Sequence, residues 1–503
     1  MKAKITPPAR TLQFLKSMLV QVCAFLPALF VSAQVVNQIK SFPAVALDQS
    51  TGFYTNSDGA YPRAQLTLAG ATLYGVATVA GSSGIGTVFK INTDGSGFAV
   101  LQTLAAAAVN SATQQITNSD GAQPQSRLLV AGGTVYGTAI YGGALGNGTL
   151  FKLGTNGGGF TVLRTFSNGP SDGANPHGNL VLASSGVLYG TTELGGTGGG
   201  GIVYRIDTNG NNFAIVHHFS YAAADGGQPM AGLLLSGGTL YGTTYSGGSS
   251  GWGTVFSLGT AVSNFTLLKS FPAPNPPNVS GTNSGGYHPR AELELAAGRL
   301  YGMTPYGGTS SNGTVFAIST NGAYFAVLHN FSAMPLSPAG WGTNTDGANS
   351  YGNLVVLDNK LYGTTQYGGE TGSGTIFEVT TNGSGFRVVW TFDQNYGRGG
   401  LPAAGLLLSG ANFYGSTQYG GEAYAGTLFS LSVPGPQLTI TRAGANVVLS
   451  WPSDDIGFTL QSTPTLGASA IWSTNPPPPV VVNNRYSVTN AVSGGARFYR
   501  LSQ

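Results

Sequence analysis

Five aspartates are the most regularly placed residues that could do chemistry. Each precedes a glycine at the start of a repeated unit: Asp58, Asp120, Asp172, Asp225 and Asp346. Such a carboxylate either caps the turn, with the glycine supplying a positive φ, or binds calcium, which requires several oxygen ligands. No copy has the dense Asp/Asn spacing of a self-contained calcium loop. Turn capping is therefore favoured, and Ca²⁺ is the one cofactor to consider.

Histidines and glutamates form no catalytic arrangement in the sequence. His177 and His288 lie beside prolines, while His217 and His329 occupy strand positions that other copies fill with Arg or Lys, which predicts that they face solvent. Glycoside cleavage needs two carboxyl groups about 5 to 10 Å apart, and the candidates by residue type are Glu193, Glu292, Glu294, Glu370 and Glu422. No Ser/His/Asp set or metal-ligand spacing is visible. We predict no catalytic residue and no metal site.

Unrepeated aromatic residues in loops are the candidate binding residues. Exposed Trp and Tyr rings offer flat apolar faces with a polar edge, which suit sugar rings or protein anchors. Packing within the loops is the alternative role. The candidates are Trp252, Tyr287, Trp341, Tyr351 and Tyr424.

These residues are set in a tandem repeat. A Tyr-Gly pair, a Gly-rich turn and then Gly-Thr-(Val/Leu/Ile)-Phe or a close variant recur at Tyr74, Tyr136, Tyr189, Tyr241, Tyr301, Tyr362 and Tyr414. A period of 50 to 60 residues is typical of supersecondary units that stack to bury their apolar faces. Each unit contains four short β-type runs joined by short turns, which predicts a four-stranded antiparallel meander.

The two ends of the repeat region predict its topology. The seventh unit stops after its third strand at Gly426–Leu431, whereas Val36–Phe42 matches the fourth strand of the other units. A ring uses such a split to join its first and last units. We therefore predict an all-β fold, a seven-bladed β-propeller of four-stranded blades closed by an N-terminal strand. The turn between the second and third strands of each blade, here called the 2–3 turn, then lies on the same rim as the linkers between blades. The longest insertions lie in those linkers.

The first 33 residues have the pattern of a signal peptide. Basic residues precede an apolar run, Met18–Val31, that ends in small residues and is too short for a membrane span. Without this segment the chain has 17 Lys+Arg against 18 Asp+Glu and loses its one cysteine, Cys23. There is thus no positive excess for nucleic acid. We expect a secreted or cell-surface protein, without a transmembrane span after cleavage and monomeric.

The predicted domains follow from these boundaries. Residues 1–33 are the signal peptide, 34–433 the propeller, 434–436 a Pro-Gly-Pro linker and 437–503 a small C-terminal β-sandwich with Trp451 in its core. About six strand signals in the tail support the sandwich.

The unit Leu-Tyr-Gly-Thr-Thr, Tyr-Gly-Gly, Gly-Thr-Val-Phe, Asn-Gly, Phe-x-Val-Leu-x-x-Phe and Asp-Gly-Ala-x-Pro resembles the GloVer repeat of exported bacterial proteins. The tail is similar to fibronectin-III-like modules. The resemblance implies a surface or secreted location without an established enzymatic activity. The leading hypothesis is a non-enzymatic propeller whose rim recognises a polysaccharide or a surface protein, with the tail attaching or orienting it. The alternatives are a polysaccharide lyase or glycoside hydrolase with its site at the axial channel, and a purely structural surface protein.

Overall fold

The computed structural model describes residues 36–111, 115–260, 264–277, 281–335, 342–393, 399–432, 438–452, 459–465, 470–474, 477–482, 485–492 and 496–502. The predicted signal peptide, the Pro-Gly-Pro linker and Trp341 lie outside these residues. The described part is all-β and contains no helix. None of it could therefore cross a membrane as a helix.

Seven four-stranded antiparallel sheets contain the described repeats, and each sheet follows the order of the chain except the last. Sheets 1 to 3 are formed by Thr67–Ala69, Thr72–Ala77, Thr87–Asn92 and Ala99–Thr103; by Leu129–Ala131, Thr134–Ala139, Thr149–Gly154 and Thr161–Thr165; and by Val181–Leu182, Val187–Thr192, Ile202–Asp207 and Ala214–His218. Sheets 4 and 5 are formed by Leu234–Ser236, Thr239–Thr244, Thr254–Gly259 and Thr266–Ser270, and by Glu294–Ala296, Arg299–Thr304, Thr314–Ser319 and Phe325–Asn330. Sheets 6 and 7 are formed by Val355–Leu357, Lys360–Thr365, Thr375–Thr380 and Arg387–Thr391, and by Leu407–Ser409, Asn412–Thr417, Thr427–Ser432 and Val36–Ser41.

Sheet 7 takes its fourth strand from the start of the described chain. Val36 is paired with Leu431 and Ser41 with Thr427 in an antiparallel ladder with one bulge. This is the predicted pairing of the N-terminal segment with the incomplete seventh unit. The Phe42 side chain that follows is 1% exposed and packs edge-on against Phe89 of sheet 1.

The Tyr-Gly pair is explained by its partner strand. In sheet 4, Gly242 lies opposite Phe256, and a Cβ on Gly242 would lie 2.6 Å from the Phe256 Cζ. The glycine thus makes room for the ring of the third strand. The preceding tyrosine is buried in six of the units, as predicted, and Tyr241 is half-buried against the core between sheets 4 and 5.

Apolar clusters join each sheet to the next. Tyr136 and Leu150 of sheet 2, for example, are packed with Leu188 and Ile202 of sheet 3. A cluster of the same kind joins sheet 7 to sheet 1. Since each sheet contributes to two clusters, its two faces are both covered, and burial of these side chains stabilises the array by about 1.5–3 kcal/mol for each large residue.

The linkers and the 2–3 turns lie on the same edge, here called the linker rim. Ala60 is bridged to Val79, Ala348 to Tyr367 and Gly400 to Tyr419. Short ribbons also form on this rim between Gly173–Ala174 and Leu194–Gly195, between Gly226–Gly227 and Ser246–Gly247, and within linkers between Ala46–Leu47 and Tyr54–Thr55 and between Ala108–Val109 and Ile116–Thr117.

The tail forms two further sheets. Their strands are Thr439–Ala443, Asn446–Pro452, Arg485–Ala491 and Val480–Val482 in one sheet, and Ser473–Thr474, Thr459–Thr463 and Phe498–Ser502 in the other. Leu449, Trp451 and Val488 of the first sheet are buried with Leu460 of the second. The predicted burial of Trp451 is confirmed, at 0% exposure.

Candidate functional site

All seven sheets contribute to one cavity of about 630 Å³. Its wall repeats with the units, because each unit supplies residues from the segment that precedes its first strand. The first tier consists of the residue directly after the proline position of Asp-Gly-Ala-x-Pro in each unit. In chain order these residues are Arg63, Gln125, His177, Met230, Arg290, Tyr351 and Ala403. A second tier follows two residues later: Gln65, Arg127, Asn179, Gly232, Glu292, Asn353 and Gly405. Gln366, Tyr367, Leu401, Gln418 and Tyr419 join the wall from the linker rim.

The backbone turns toward this cavity at an unusual position in every unit. The residue at the x position of Asp-Gly-Ala-x-Pro, immediately before the proline position, has a φ of 55 to 57° in all seven units. These residues are Tyr61, Gln123, Asn175, Gln228, His288, Asn349 and Leu401. Non-glycine residues held in this region cost about 1–3 kcal/mol each and concentrate at functional sites. Each N–H donates a hydrogen bond of 2.7 to 3.0 Å to a carbonyl of the preceding sheet's 2–3 turn; Tyr61 of sheet 1 donates to Ala425 of sheet 7. These bonds fix the direction in which the two tiers enter the wall.

The second tier contains a polar network centred on Glu292. This carboxylate is 9% exposed and accepts hydrogen bonds from Arg127 at 3.1 and 3.2 Å, from Asn179 at 2.8 Å and from Asn353 at 3.2 Å. Asn353 also donates to Gln65 at 3.2 Å. The network links sheets 1, 2, 3, 5 and 6 across the cavity wall, and it gives the Glu292 carboxylate four hydrogen bonds.

Glu294, two residues after Glu292, has a strongly shifted pKa. Burial and the neighbouring Glu292 raise its pKa to about 7, against the opposing effect of Arg127. Glu193, on the 2–3 turn of sheet 3, also has a raised pKa because burial outweighs Arg290 and the hydrogen bonds from Gln228 and Asn175.

The first tier places Arg290 beside two tyrosine rings and a methionine, near enough to Glu193 to lower the pKa of that acid against the effect of burial. Its guanidinium lies 5.2 Å from the ring centre of Tyr245 and 5.7 Å from that of Tyr351, and it contacts the Met230 sulfur at 3.1 Å. Desolvation and Arg290 lower the pKa of His177 to about 4, so its imidazole is neutral at pH 7. Burial and the hydrogen bond with Tyr306, 3.0 Å away, raise the pKa of Tyr351, whose phenol is therefore neutral too.

The five predicted binding aromatics are not brought together. Tyr351 lines the cavity, whereas Tyr424 is 56% exposed on the linker rim. Tyr287 has the alternative role, packing within the loops, because its ring is 0% exposed and packs against Trp252 and Tyr306. Trp252 is half-buried in that cluster, and Trp341 lies outside the described residues.

The repeated aspartates bind the last strand of the preceding sheet. Asp172 accepts from Arg164, Asp225 from His217 and Asp346 from His329, at about 3.0 Å in each case. Asp58 is paired with Lys40 at 2.6 Å, and Asp120 accepts from Gln102 at 3.1 Å.

The turn-capping role expected of the aspartates holds only for some of them. Asp172 accepts from the Gly173 N–H at 2.9 Å. In the Asn-Ser-Asp-Gly turns the asparagine caps instead, as Asn56 accepts from the Asp58 and Gly59 N–H groups. No group of three or more His, Cys, Asp and Glu side chains suited to a metal ion is found among the described residues.

The histidines of these pairs are not solvent-facing, contrary to expectation. His217 stacks on Phe265 of the next sheet at 4.2 Å, and His329 stacks on Phe386 at 3.6 Å. Their side chains are 16% and 18% exposed. Sequence reasoning missed these contacts because each ring partner belongs to the following unit.

Sequence reasoning also missed most of the cavity. Arg63, Arg127 and Arg290 occupy its wall, and only His177, Glu292 and Tyr351 had been singled out for any role. A signal was present within the chain: the positions one and three residues after the proline position vary between units, while the residues around them repeat.

The sequence profile of the Gloeobacter/Verrucomicrobia repeat matches residues 123–341 and 340–453. The chain belongs to the Gloeobacter/Verrucomicrobia repeat family. This family includes the repeat pattern on which the predicted resemblance rested. No curated protein matches the chain.

Solved structures similar to this repeat protein have low identities. A putative 6-phosphogluconolactonase from Bacteroides fragilis is 14% identical with a TM-score of 0.44, over 76% of this chain and 100% of that one. A PL25 ulvan lyase bound to a sugar ligand is 11% identical, with a TM-score of 0.43, over 80% and 92% of the two chains. An oligogalacturonate lyase in complex with manganese is 10% identical, with a TM-score of 0.44, over 80% and 96%. The chain spans 33% of the tricorn protease and 59% of TolB from Acinetobacter baumannii, which it also matches.

Proposed function

We propose that this chain is an exported, non-enzymatic β-propeller of seven blades, closed by its N-terminal strand, that binds a glycan in the cavity described above. The single observation that supports this most strongly is the wall of the cavity, to which every unit contributes residues from equivalent positions and in which polar and aromatic side chains predominate. The C-terminal module, with the fibronectin-III-like character implied by its sequence, would attach or orient the propeller.

The chemistry of the wall favours a sugar. Tyr351, Tyr367 and Tyr419 offer ring faces, and Gln125 and Gln366 offer amides that both donate and accept hydrogen bonds. Hydroxyl groups and apolar sugar faces need this combination. A volume of about 630 Å³ is within the range of small-ligand sites, whereas a protein partner requires a broader surface.

Glycan-array binding by the purified full-length protein tests this proposal. Replacement of Tyr351 or Tyr367 by Ala should weaken binding at least tenfold, because each removes a ring from the cavity wall. Tyr324→Ala is the matched control, since this tyrosine is 44% exposed on sheet 5 and does not line the cavity. Binding that is unchanged in the two cavity variants would place the ligand elsewhere, and binding of proteins alone would contradict the glycan proposal.

A second candidate, a polysaccharide lyase, is favoured by one observation. Neutral His177, cationic Arg290 and the Tyr351 hydroxyl line the same cavity, which are the types of group needed to remove a proton beside a carboxylate, neutralise that carboxylate and return a proton. A reducing-end release assay on every bound glycan discriminates the two. Release that disappears in His177→Gln would replace the binding proposal with the lyase, and intact glycan after long incubation would support binding alone.

A further inference from the structure

The charges in the cavity wall are unbalanced. Three arginines line it, Arg63, Arg127 and Arg290, and the one carboxylate among the lining residues is Glu292. Glu292 is committed to Arg127, which holds it through both oxygens. Two arginines therefore lack a carboxylate within salt-bridge distance among the described residues.

Arg290 is held in place without a salt bridge to an acid of the described residues, although its charge acts on the nearby Glu193. The faces of Tyr245 and Tyr351 lie within 6 Å of its guanidinium, at a distance where a cation is attracted to an aromatic ring. Its nearest polar contact is the Met230 sulfur at 3.1 Å, which is a weak acceptor. The guanidinium is thus oriented by aromatic rings while most of its N–H donors remain available to a ligand.

Arg63 supplies a second cation at the equivalent place in sheet 1. It is exposed, it lines the same cavity, and it has no hydrogen bond to another described side chain. The charge of Arg63 acts on Tyr367, because it lowers the pKa of that phenol against the larger, opposite effect of burial. A ligand that extends from Arg290 past Tyr351 and Tyr367 toward Arg63 would meet ring faces between two cations.

We infer that the cavity is built for an anionic saccharide, one that carries carboxylate or sulfate groups, and that Arg290 and Arg63 bind those groups. This inference rests on the proposed glycan function and adds the charge of the ligand to it. The fork of an arginine donates two parallel hydrogen bonds to a carboxylate or sulfate, which a neutral sugar cannot replace.

Calorimetric titration with charge-matched pairs of glycans tests the inference. Oligogalacturonides are compared with their methyl esters, and dextran sulfate with dextran, so that the two pairs distinguish a carboxylate ligand from a sulfate ligand. We expect at least a tenfold preference for the charged member of one pair, and that preference should fall as salt is raised. Arg290→Gln and Arg63→Gln should each reduce the ratio of affinities for the charged and neutral members at least fivefold. Arg290→Lys should recover part of it, because lysine keeps the charge without the fork.

Arg205→Gln is the matched control for the arginine variants. Arg205 is an exposed arginine of sheet 3 outside the cavity wall, so its removal should leave the preference unchanged. Thermal melting of each variant separates lost binding from lost folding, and Arg63→Gln is expected to melt like the wild type.

The failures of the two proposals differ. Equal binding of charged and neutral members, weakened by Tyr351→Ala, would overturn the anionic ligand and keep the glycan-binding function. A charge preference that survives both arginine substitutions would overturn the roles of Arg290 and Arg63. Absence of binding to any glycan would overturn both proposals.

Discussion

Glu292 shows how a single residue can determine the shape of the cavity wall. Its buried carboxylate is stable only because Arg127, Asn179 and Asn353 surround it, and these partners come from three other sheets. A buried charge without such partners costs several kcal/mol. The network therefore fixes the second tier, and the first-tier arginines remain available for a ligand.

Arg127→Gln should destabilise the protein by about 1–3 kcal/mol, because Glu292 would then be buried with two amide donors alone. The double variant Arg127→Gln/Glu292→Gln should be more stable than Arg127→Gln, since it also removes the unpaired charge. Urea unfolding of the two single variants and the double variant measures the coupling. Strictly additive effects would show that the pair does not stabilise the wall.

The Tyr-Gly pair belongs to the element scale, where one strand must fit its neighbour. Gly242→Ala would place a Cβ 2.6 Å from the Phe256 ring. We expect a loss of about 1–3 kcal/mol from overpacking, and Gly242→Ala/Phe256→Leu should recover part of it. Gly169→Ala is the control, because the nearest atom to its Cβ is the Ser167 Oγ at 3.7 Å. Equal thermal stability of Gly242→Ala and the wild type would refute this account of the repeat.

Pairs of one aspartate and one last-strand residue connect successive sheets. Burial raises the pKa of Asp225, but hydrogen bonds from His217, Gly226 and Ser220 outweigh it, so its pKa lies below the ordinary value of 3.8. The pKa of Asp346 is also below the ordinary value, because hydrogen bonds from His329 and Ser332 outweigh the effect of burial. An acid with a lowered folded pKa stabilises the fold above its unfolded pKa, and this contribution is lost as the pH falls through the folded pKa.

The free energy of unfolding should therefore fall as the pH drops from about 5 to below the ordinary pKa of aspartate. Asp225→Asn and Asp346→Asn should lower stability at pH 7 and make its decline in acid shallower. Urea titrations between pH 3 and 7 measure the slope. If the variant that carries both substitutions loses stability with falling pH as steeply as the wild type, other groups are responsible for the acid sensitivity.

These elements also show what the sequence could predict. Comparison of the seven internal copies made three features predictable, because local pattern and register repeat within one chain. These features are the strands, the buried tyrosines and the pairing of Val36–Ser41 with Thr427–Ser432. The contacts of His217 with Phe265, and of Arg127 with Glu292, connect different units. A pattern within a unit contains no information about them. The cavity was missed for the same reason, since its wall forms only where all the sheets meet.

At the scale of the whole molecule, the N-terminal strand joins the two ends of the repeat region. Lys40 pairs with Asp58 at 2.6 Å, Phe42 is buried, and the Phe42 N–H donates to the Gly426 carbonyl at 3.1 Å. The segment thus contacts sheet 7 through its backbone and sheet 1 through its side chains. In the proposed ring it stabilises the interface on which the seventh and first walls of the cavity depend.

Deletion of residues 34–42 should therefore destabilise the repeat array severely. It removes a ladder of backbone hydrogen bonds, at about 0.5–1.5 kcal/mol each, and the burial of Phe42, at about 1.5–3 kcal/mol. Their sum approaches the stability of an ordinary domain, about 5–15 kcal/mol. Thermal melting of the truncated and full chains measures the loss, with removal of residues 1–33 alone as the control that should melt unchanged.

A synthetic peptide of residues 34–44 provides the sharper test, because a strand that completes an open sheet edge binds it through the same backbone ladder. Added to the truncated chain, it should raise the melting temperature in a concentration-dependent way. The same peptide with Phe42→Ala should do so more weakly, since it keeps the ladder and loses the buried ring. A truncated chain that melts like the full one, or that ignores the peptide, would show that the repeat array does not depend on this strand.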